Sequence, residues 1–240
     1  MHHKTQAIIL KKFPYGEADL IVTFFAKKEG RLVGIAKNAR LSQRRFGGAL
    51  ELGSIVDLSY VTRVHSDLVR IEDAGVYYPT TGIMLSLNRI SAMSKALELA
   101  LAFLQERQSA PDKYDLLSEY IVNLSKKDAD YLTRLSFELE WLTLSGYKPE
   151  LEQCMGCGEG LKDEHLSFSM NQGGLLCSRC NRGSKVNIDK QAIDTIFMIS
   201  KGEKSELSSI EAYPIQNLLS NYIEHILGRE LTGSLIAKQL

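Results

Sequence analysis

The chain has 240 residues, of which 44% are hydrophobic, and its formal net charge is zero. This composition is ordinary for one or two globular domains. No apolar run reaches the roughly 18 residues of a membrane span, and residues 1–6 lack the apolar core of a secretory signal, so we expect neither a membrane segment nor a signal peptide.

Charge is unevenly distributed along the chain. The first 48 residues contain ten lysines or arginines and only three acids. A local basic excess can attract a polyanion even when the whole chain is neutral. We therefore expect a polyanionic partner, if there is one, to bind this segment.

The first 80 residues have the pattern of five short strands. Branched, aromatic or alternating runs cover residues 6–13, 20–25, 32–37, 55–61 and 69–77. Five strands without a long helix predict a small closed barrel. The glycine-rich break before the fourth strand favours an OB-fold over an SH3-like barrel. We therefore predict an OB-fold nucleic-acid-binding domain over residues 1–80.

Beyond Pro79 the hydrophobic period changes from 2 to 3.6. Ile90, Met93, Leu97 and Leu101 form the stripe of a first helix, which is apolar on most sides and therefore belongs in a core. Further helices are predicted from 111 to 124, from 128 to 146, from 187 to 200 and from 215 to 227, with a polar connector at 201–209. The predicted fold class is thus α+β, with an α-helical domain over residues 81–240.

Four cysteines stand in two C-x-x-C pairs, and 19 residues separate the pairs. The pairs are Cys154 with Cys157 and Cys177 with Cys180. This spacing is typical of a structural zinc site in which four thiolates enclose the ion and leave no coordination position for a substrate. It predicts a zinc ribbon or knuckle at about 150–183, inserted in the helical domain. Disulfides, a redox pair and an iron–sulfur site are the alternatives; a zinc site fits a reducing cytoplasm.

Residues 37–48 lie between the third and fourth predicted strands and are rich in cations. Lys37, Arg40, Arg44 and Arg45 can neutralise phosphates, and Phe46 can either stack on a base or pack back on the barrel. The alternative is a solvated loop whose charges serve solubility. No Walker A loop, G-x-G-x-x-G, G-x-S-x-G or H-E-x-x-H motif is present, which favours a binding protein over an enzyme.

Several short motifs occur in a family-specific order. They are Gly16-Glu17-Ala18-Asp19, Glu29-Gly30-Arg31, Lys37-Asn38-Ala39-Arg40, Arg45-Phe46-Gly47-Gly48, Gly146-Tyr147-Lys148-Pro149 and Cys154-x-x-Cys157-Gly158. The order resembles that of the bacterial RecO family of recombination mediators over most of the chain. The sequence departs from the family at Asn38, where a glycine is usual.

The resemblance implies a non-catalytic DNA repair and recombination factor. Such a protein binds single- and double-stranded DNA, anneals complementary strands, engages the single-strand-binding protein, pairs with RecR and so helps to load RecA, in the cytoplasm and at the nucleoid during repair. By matching position it would contact DNA through Lys37, Arg40, Arg44 and Arg45, with Arg31 as a further candidate, and would bind Zn²⁺ through the four cysteines.

Two readings from other classes stay open. One is a nucleic-acid-modifying enzyme with an N-terminal OB-fold domain and a structural zinc site. The other is a structural adaptor whose basic loop does not contact DNA. Four cations that each meet a phosphate of a single strand would give log K a slope of about 3 against log salt, whereas an inert loop would give a slope near zero.

Overall fold

The computed structural model describes residues 1–62, 66–163, 165–181, 187–200 and 209–231. The chain divides into two compact units, the first covering Met1–Asp128 and the second beginning at Ala129. A barrel and two helices form the first unit, and helices around a small sheet form the second. The α+β fold class is therefore confirmed.

Five strands form a closed barrel in the order β1-β2-β3-β5-β4. They are β1 (His2–Tyr15), β2 (Asp19–Ala26), β3 (Gly30–Ala36), β4 (Ile55–Val61) and β5 (Val69–Tyr78). Neighbours are antiparallel except for β3 and β5, which pair in parallel over three residues. Alternate side chains such as Val22, Phe24 and Leu58 fill the interior. The five predicted strands and the OB-like barrel are confirmed.

The segment between β3 and β4 covers one end of the barrel. It contains a four-residue helix, α1 (Gln43–Phe46), and it places Phe46, Ala49 and Leu50 in the barrel core. The periodicity of the sequence does not predict this element, because a single helical turn is too short to show a 3.6-residue repeat. The predicted loop is therefore anchored by its own apolar residues.

Two helices complete the first unit, α2 (Leu87–Phe103) and α3 (Pro111–Lys126), with a 3-10 turn at Thr81–Leu85 before them. Phe25 of β2 meets Tyr114 of α3 edge-on, with ring centroids 5.4 Å apart. Gly30 lies so close to the α2–α3 connection that a Cβ there would come within 2.0 Å of the Gln108 carbonyl oxygen. The first unit extends past residue 80 because the outer face of β2 is apolar and these helices cover it.

Within its described residues, the second unit contains three helices and a three-stranded sheet in the order β7-β6-β8. Its elements are α4 (Tyr131–Leu144), β6 (His165–Ser169), β7 (Gly174–Leu176), β8 (Asn187–Asp189), α5 (Lys190–Ser200) and α6 (Ser209–Leu227). The helix predicted from residue 187 begins only at Lys190, because residues 187–189 pair with β6 as a strand. The connector predicted at 201–209 falls almost wholly outside the described residues.

Among the helices that the structure describes, none has both the length and the apolar character needed to cross a membrane.

Candidate metal centre and nucleic-acid interface

The four cysteines converge in the second unit. The Sγ atoms of Cys154, Cys157, Cys177 and Cys180 all lie within 4.8 Å of one another, and those of Cys157 and Cys177 are 3.9 Å apart. A tetrahedron with Zn–S bonds of about 2.3 Å has S···S edges of about 3.8 Å. The cluster therefore has the donor set and the size that fit a closed zinc site.

Backbone N–H groups stabilise the thiolate form of Cys154. Cys154 Sγ accepts from the N–H of Gly156 at 3.4 Å and from the N–H of Cys177 at 3.3 Å. Burial acts to raise the pKa of Cys154, but the backbone donors outweigh it and bring the pKa to about 6. The neighbouring thiols of Cys177 and Cys157, and then burial, raise the pKa of Cys180, because a further negative charge beside these sulfurs is unfavourable. A cation is what allows all four to ionise together.

The stretch that contains the four cysteines, residues 154–180, is called the cysteine segment. It has a very small apolar core, in which Leu161 and Leu176 pack against the sulfurs. Ser178 donates its N–H to Asp163 Oδ2 at 2.7 Å, and Arg179 pairs with Glu159. The segment is attached to α6 through Phe168, whose ring lies edge-on to Tyr222 with centroids 5.2 Å apart. A core of this size cannot hold a fold alone, so a bound metal would stabilise it.

In the first unit, the basic loop (residues 37–48) is fastened to the loop that joins β1 and β2. Lys37 Nζ pairs with Asp19 Oδ2 at 2.6 Å, and the N–H of Asn38 donates to Asp19 Oδ1 at 2.8 Å. Arg40 donates from its backbone N–H to Ala18 at 3.0 Å and from its guanidinium to the Glu17 carbonyl at 2.9 Å. The hydrogen bond from Lys37, and then that from Asn38, hold the pKa of Asp19 below its usual value.

The departure from the family at Asn38 has a structural explanation. Asn38 has a φ of +55°, in the left-handed region that glycine adopts readily. Asparagine is one of the few other residues that tolerate this region. The turn after Lys37 therefore keeps the backbone conformation that the usual glycine would allow.

The four cations of the loop play different parts. Lys37, Arg40 and Arg44 are exposed, and Arg44 forms no ion pair or hydrogen bond with any residue in the described part of the chain. Arg45 is half-buried: it donates to the Lys37 carbonyl at 2.6 Å and to Ser42 Oγ at 3.2 Å. Arg45 therefore holds the loop in shape. The other three side chains are exposed, but Lys37 is paired with Asp19 and the Arg40 guanidinium donates to the Glu17 carbonyl, so only Arg44 presents an unpaired charge within the described residues.

Two predicted contact residues are engaged elsewhere. Phe46 is only 3% exposed and belongs to the barrel core, and the Arg45 guanidinium lies 4.9 Å from its ring centroid. Of the two placements that the sequence left open for Phe46, the structure has the ring packed back on the barrel, where it is not presented at the surface. Arg31 donates to the Leu101 carbonyl at 3.1 Å and lies 3.5 Å from Glu106, so its guanidinium is committed within the first unit.

A groove of about 430 Å³ lies beside the basic loop. Lys12, Arg40, Gln43 and Glu51 are among its lining residues, and Lys12 forms an ion pair with Glu51. The sequence pattern does not single out Lys12, Gln43 or Glu51. Lys12 reaches this end of the barrel after a register shift in β1 between Ile9 and Lys11, and such a bulge leaves no mark in the hydrophobic alternation.

Comparison with known proteins agrees with this arrangement. The family model described as "Recombination protein O N terminal" matches residues 1–93, and "Recombination protein O C terminal" matches residues 84–235. The chain is 33% identical to a protein named "DNA repair protein RecO" of Syntrophotalea carbinolica, over 87% of this chain and 80% of that protein. It is 30% identical to the protein of the same name from Syntrophus aciditrophicus, over 95% and 92%.

Proposed function

The chain belongs to the recombination protein O family of DNA repair proteins, and from this premise we propose that it is a recombination mediator that binds DNA and catalyses no reaction. Membership supports a role in DNA repair and recombination. The finer proposal is that it binds single- and double-stranded DNA and brings complementary strands together.

One observation carries the proposal. Lys37, Arg40 and Arg44 are exposed on one loop, and Asp19 fastens the backbone of that loop to the barrel. A loop that is already held in place loses little freedom when its cations meet phosphates, which favours binding to the backbone of a nucleic acid. Such contacts carry no sequence information, and we therefore propose binding that tolerates any sequence.

Annealing follows from charge neutralisation without any hydrolysis. A protein that neutralises phosphates on two strands lowers their mutual repulsion, and loose backbone contacts let the strands search for register. The cysteine cluster supports the non-catalytic part of the proposal, because four thiolates around Zn²⁺ leave no position for water or substrate. We propose that this zinc is structural.

The proposed partners follow from the resemblance of the sequence to the family. They are RecR and the single-strand-binding protein, and through them RecA, and the proposed place of action is the cytoplasm, at the nucleoid during repair. Binding to each proposed partner is tested by its own titration with the purified partner.

The test of DNA binding is fluorescence anisotropy of a labelled single strand across a salt series, with annealing of complementary strands in the same buffer. Arg45 is half-buried in the loop, so phosphate contacts are expected from the three exposed cations Lys37, Arg40 and Arg44, with Lys37 exchanging the Asp19 carboxylate for a phosphate. Three contacts give log K a slope of about 2 against log salt. Replacing Arg44 by alanine should lower the slope by about 0.7, and Lys28→Ala, which removes an exposed cation outside the basic loop, is the control.

Three results would contradict the proposal. A slope near zero would exclude the basic loop as the contact. No binding at low salt would favour the structural adaptor. Turnover of labelled DNA that depends on a divalent metal would favour the nucleic-acid-modifying enzyme.

A further inference from the structure

The groove beside the basic loop has an apolar floor. Leu20, Ala39, Phe46 and Leu50 line it, and Phe46 and Leu50 are buried in the barrel core. These residues come from β2, the basic loop and the segment that covers the barrel end. A concave apolar surface at the end of a barrel is a common location for a small planar ligand.

The rim of the groove is polar and mostly exposed. Arg40 and Gln43 come from the basic loop, and Lys12 and Glu51 face each other as an ion pair. The amide of Gln43 offers both donors and an acceptor, so it can meet the hydrogen-bonding edge of any base. Arg40 on this rim belongs to the same loop as Arg44, whose guanidinium is free within the described residues.

We propose that this groove receives one unstacked base of a single strand whose phosphates lie on Arg40 and Arg44. The inference rests on the proposed function, since the same loop supplies both contacts. The base would rest on Leu20 and Ala39, with its edge toward Gln43. The buried ring of Phe46 then contributes through the floor of the groove and not as an exposed stacking platform.

Size and charge favour this occupant. A volume of about 430 Å³ lies near the lower end of the range for small-ligand pockets and suits a single ring system. The cations on the rim and beside it match the phosphate on either side of such a base. In duplex DNA the bases are paired and stacked, so the groove distinguishes single strands from duplexes.

The experiment compares an oligothymidylate with an abasic strand of equal length, both labelled, at one low salt concentration. The base-bearing strand should bind about tenfold more tightly, as expected when part of the ring surface of a base is removed from water against aliphatic side chains. Ala39→Leu, which fills the groove without changing charge, should reduce this ratio to about twofold. The affinities for the abasic strand and for a duplex should stay as they are in the parent.

Gln43→Ala is a second variant, because Gln43 is exposed and its loss leaves the floor intact; it should lower the ratio about threefold. Leu41→Ala is the matched control, since Leu41 is 77% exposed on the same loop and does not line the groove. An unchanged ratio in both groove variants would overturn the inference. Failure of both strands to bind would instead overturn the proposed function.

Discussion

Gly156 lies against the proposed zinc site, and its lack of a side chain matters there. A Cβ at this position would come within 2.7 Å of Cys180 Cβ and 2.9 Å of Cys180 Sγ. Gly156→Ala should therefore displace Cys180. A displaced ligand should weaken metal binding by about 10-fold or more, the loss expected when the residues that orient a ligand are changed. Competition with a chromogenic chelator measures this loss.

A matched control lies four residues further along the chain. A Cβ on Gly160 would meet nothing within 4 Å, and its φ is not positive. Gly160→Ala should therefore bind zinc as the parent does. Equal zinc affinity in the two variants would show that the crowding at Gly156 is without consequence.

Asn38 makes a second residue-level prediction. Its φ of +55° suits glycine and asparagine but strains a β-branched residue. Asn38→Val should lower the free energy of unfolding of the first unit by about 1–2 kcal/mol, whereas Asn38→Gly should preserve it. Urea unfolding followed by circular dichroism compares the three proteins. If valine and glycine gave the same midpoint, the positive φ would not be a feature of the loop in solution.

At the level of elements, the fastening of the basic loop by Asp19 can be removed selectively. Asp19→Ala deletes the partner of Lys37 and of the Asn38 N–H, so residues 37–45 should become more accessible to trypsin, which cleaves after lysine and arginine. Glu17→Ala removes an equal charge two residues earlier, in the β1–β2 loop, but only the backbone carbonyl of Glu17 bonds to Arg40. Cleavage at equal rates in both variants would refute the role of the Asp19 carboxylate.

The pKa of Asp19 provides an independent measure of the same contact. Because Lys37 is the largest cause of its lowered pKa, Lys37→Ala should raise that pKa toward the usual value, as followed by carboxyl NMR. A pKa lowered in the folded state stabilises the fold above the unfolded pKa of about 4 and loses that effect as pH falls through the folded value. The fastening should thus persist unchanged from neutral pH down to about pH 4. A titration unaffected by Lys37→Ala would place the cause elsewhere.

Strands and long helices were predictable because each repeats its pattern over several residues. The alternation in β4, for example, places Val56, Leu58 and Tyr60 in the barrel core as expected. Short elements were not predictable: α1 is a single turn, and β8 is three residues whose pairing with β6 depends on a partner far along the chain. The aromatic residue in α1, Phe46, was therefore open to two interpretations until the structure showed it buried.

On the scale of the whole molecule, the sequence predicts the convergence of the four cysteines better than the arrangement of the proposed DNA-contacting cations. The four cysteines stand in two C-x-x-C pairs, and this spacing can be recognised directly in the sequence. The interface depends on which cations are already engaged, and Arg31 and Arg45 are engaged by carbonyl groups of Leu101 and Lys37 that no charge pattern reveals. The extent of the first unit depends likewise on α2 and α3 covering an apolar face of the barrel.

The division into two units leads to a prediction for removal of the metal. The only tryptophan, Trp141, is fully buried in α4, and α4 packs on α6, which carries Tyr222 against the cysteine segment. The fluorescence of Trp141 therefore reports on the unit that holds the cysteines. A chelator should lower the thermal midpoint of this signal by several degrees, because bound zinc contributes folding free energy.

DNA binding should respond differently to the same treatment. The basic loop lies in the first unit, so anisotropy of a labelled strand, measured below the lowered midpoint, should keep its affinity and its salt slope in the presence of chelator. Cys154→Ser should melt like the chelated parent and should no longer respond to chelator. If Cys154→Ser melted like the zinc-loaded parent, the cysteines would not brace the second unit; if chelation abolished DNA binding at low temperature, the metal and the basic loop would act as one site.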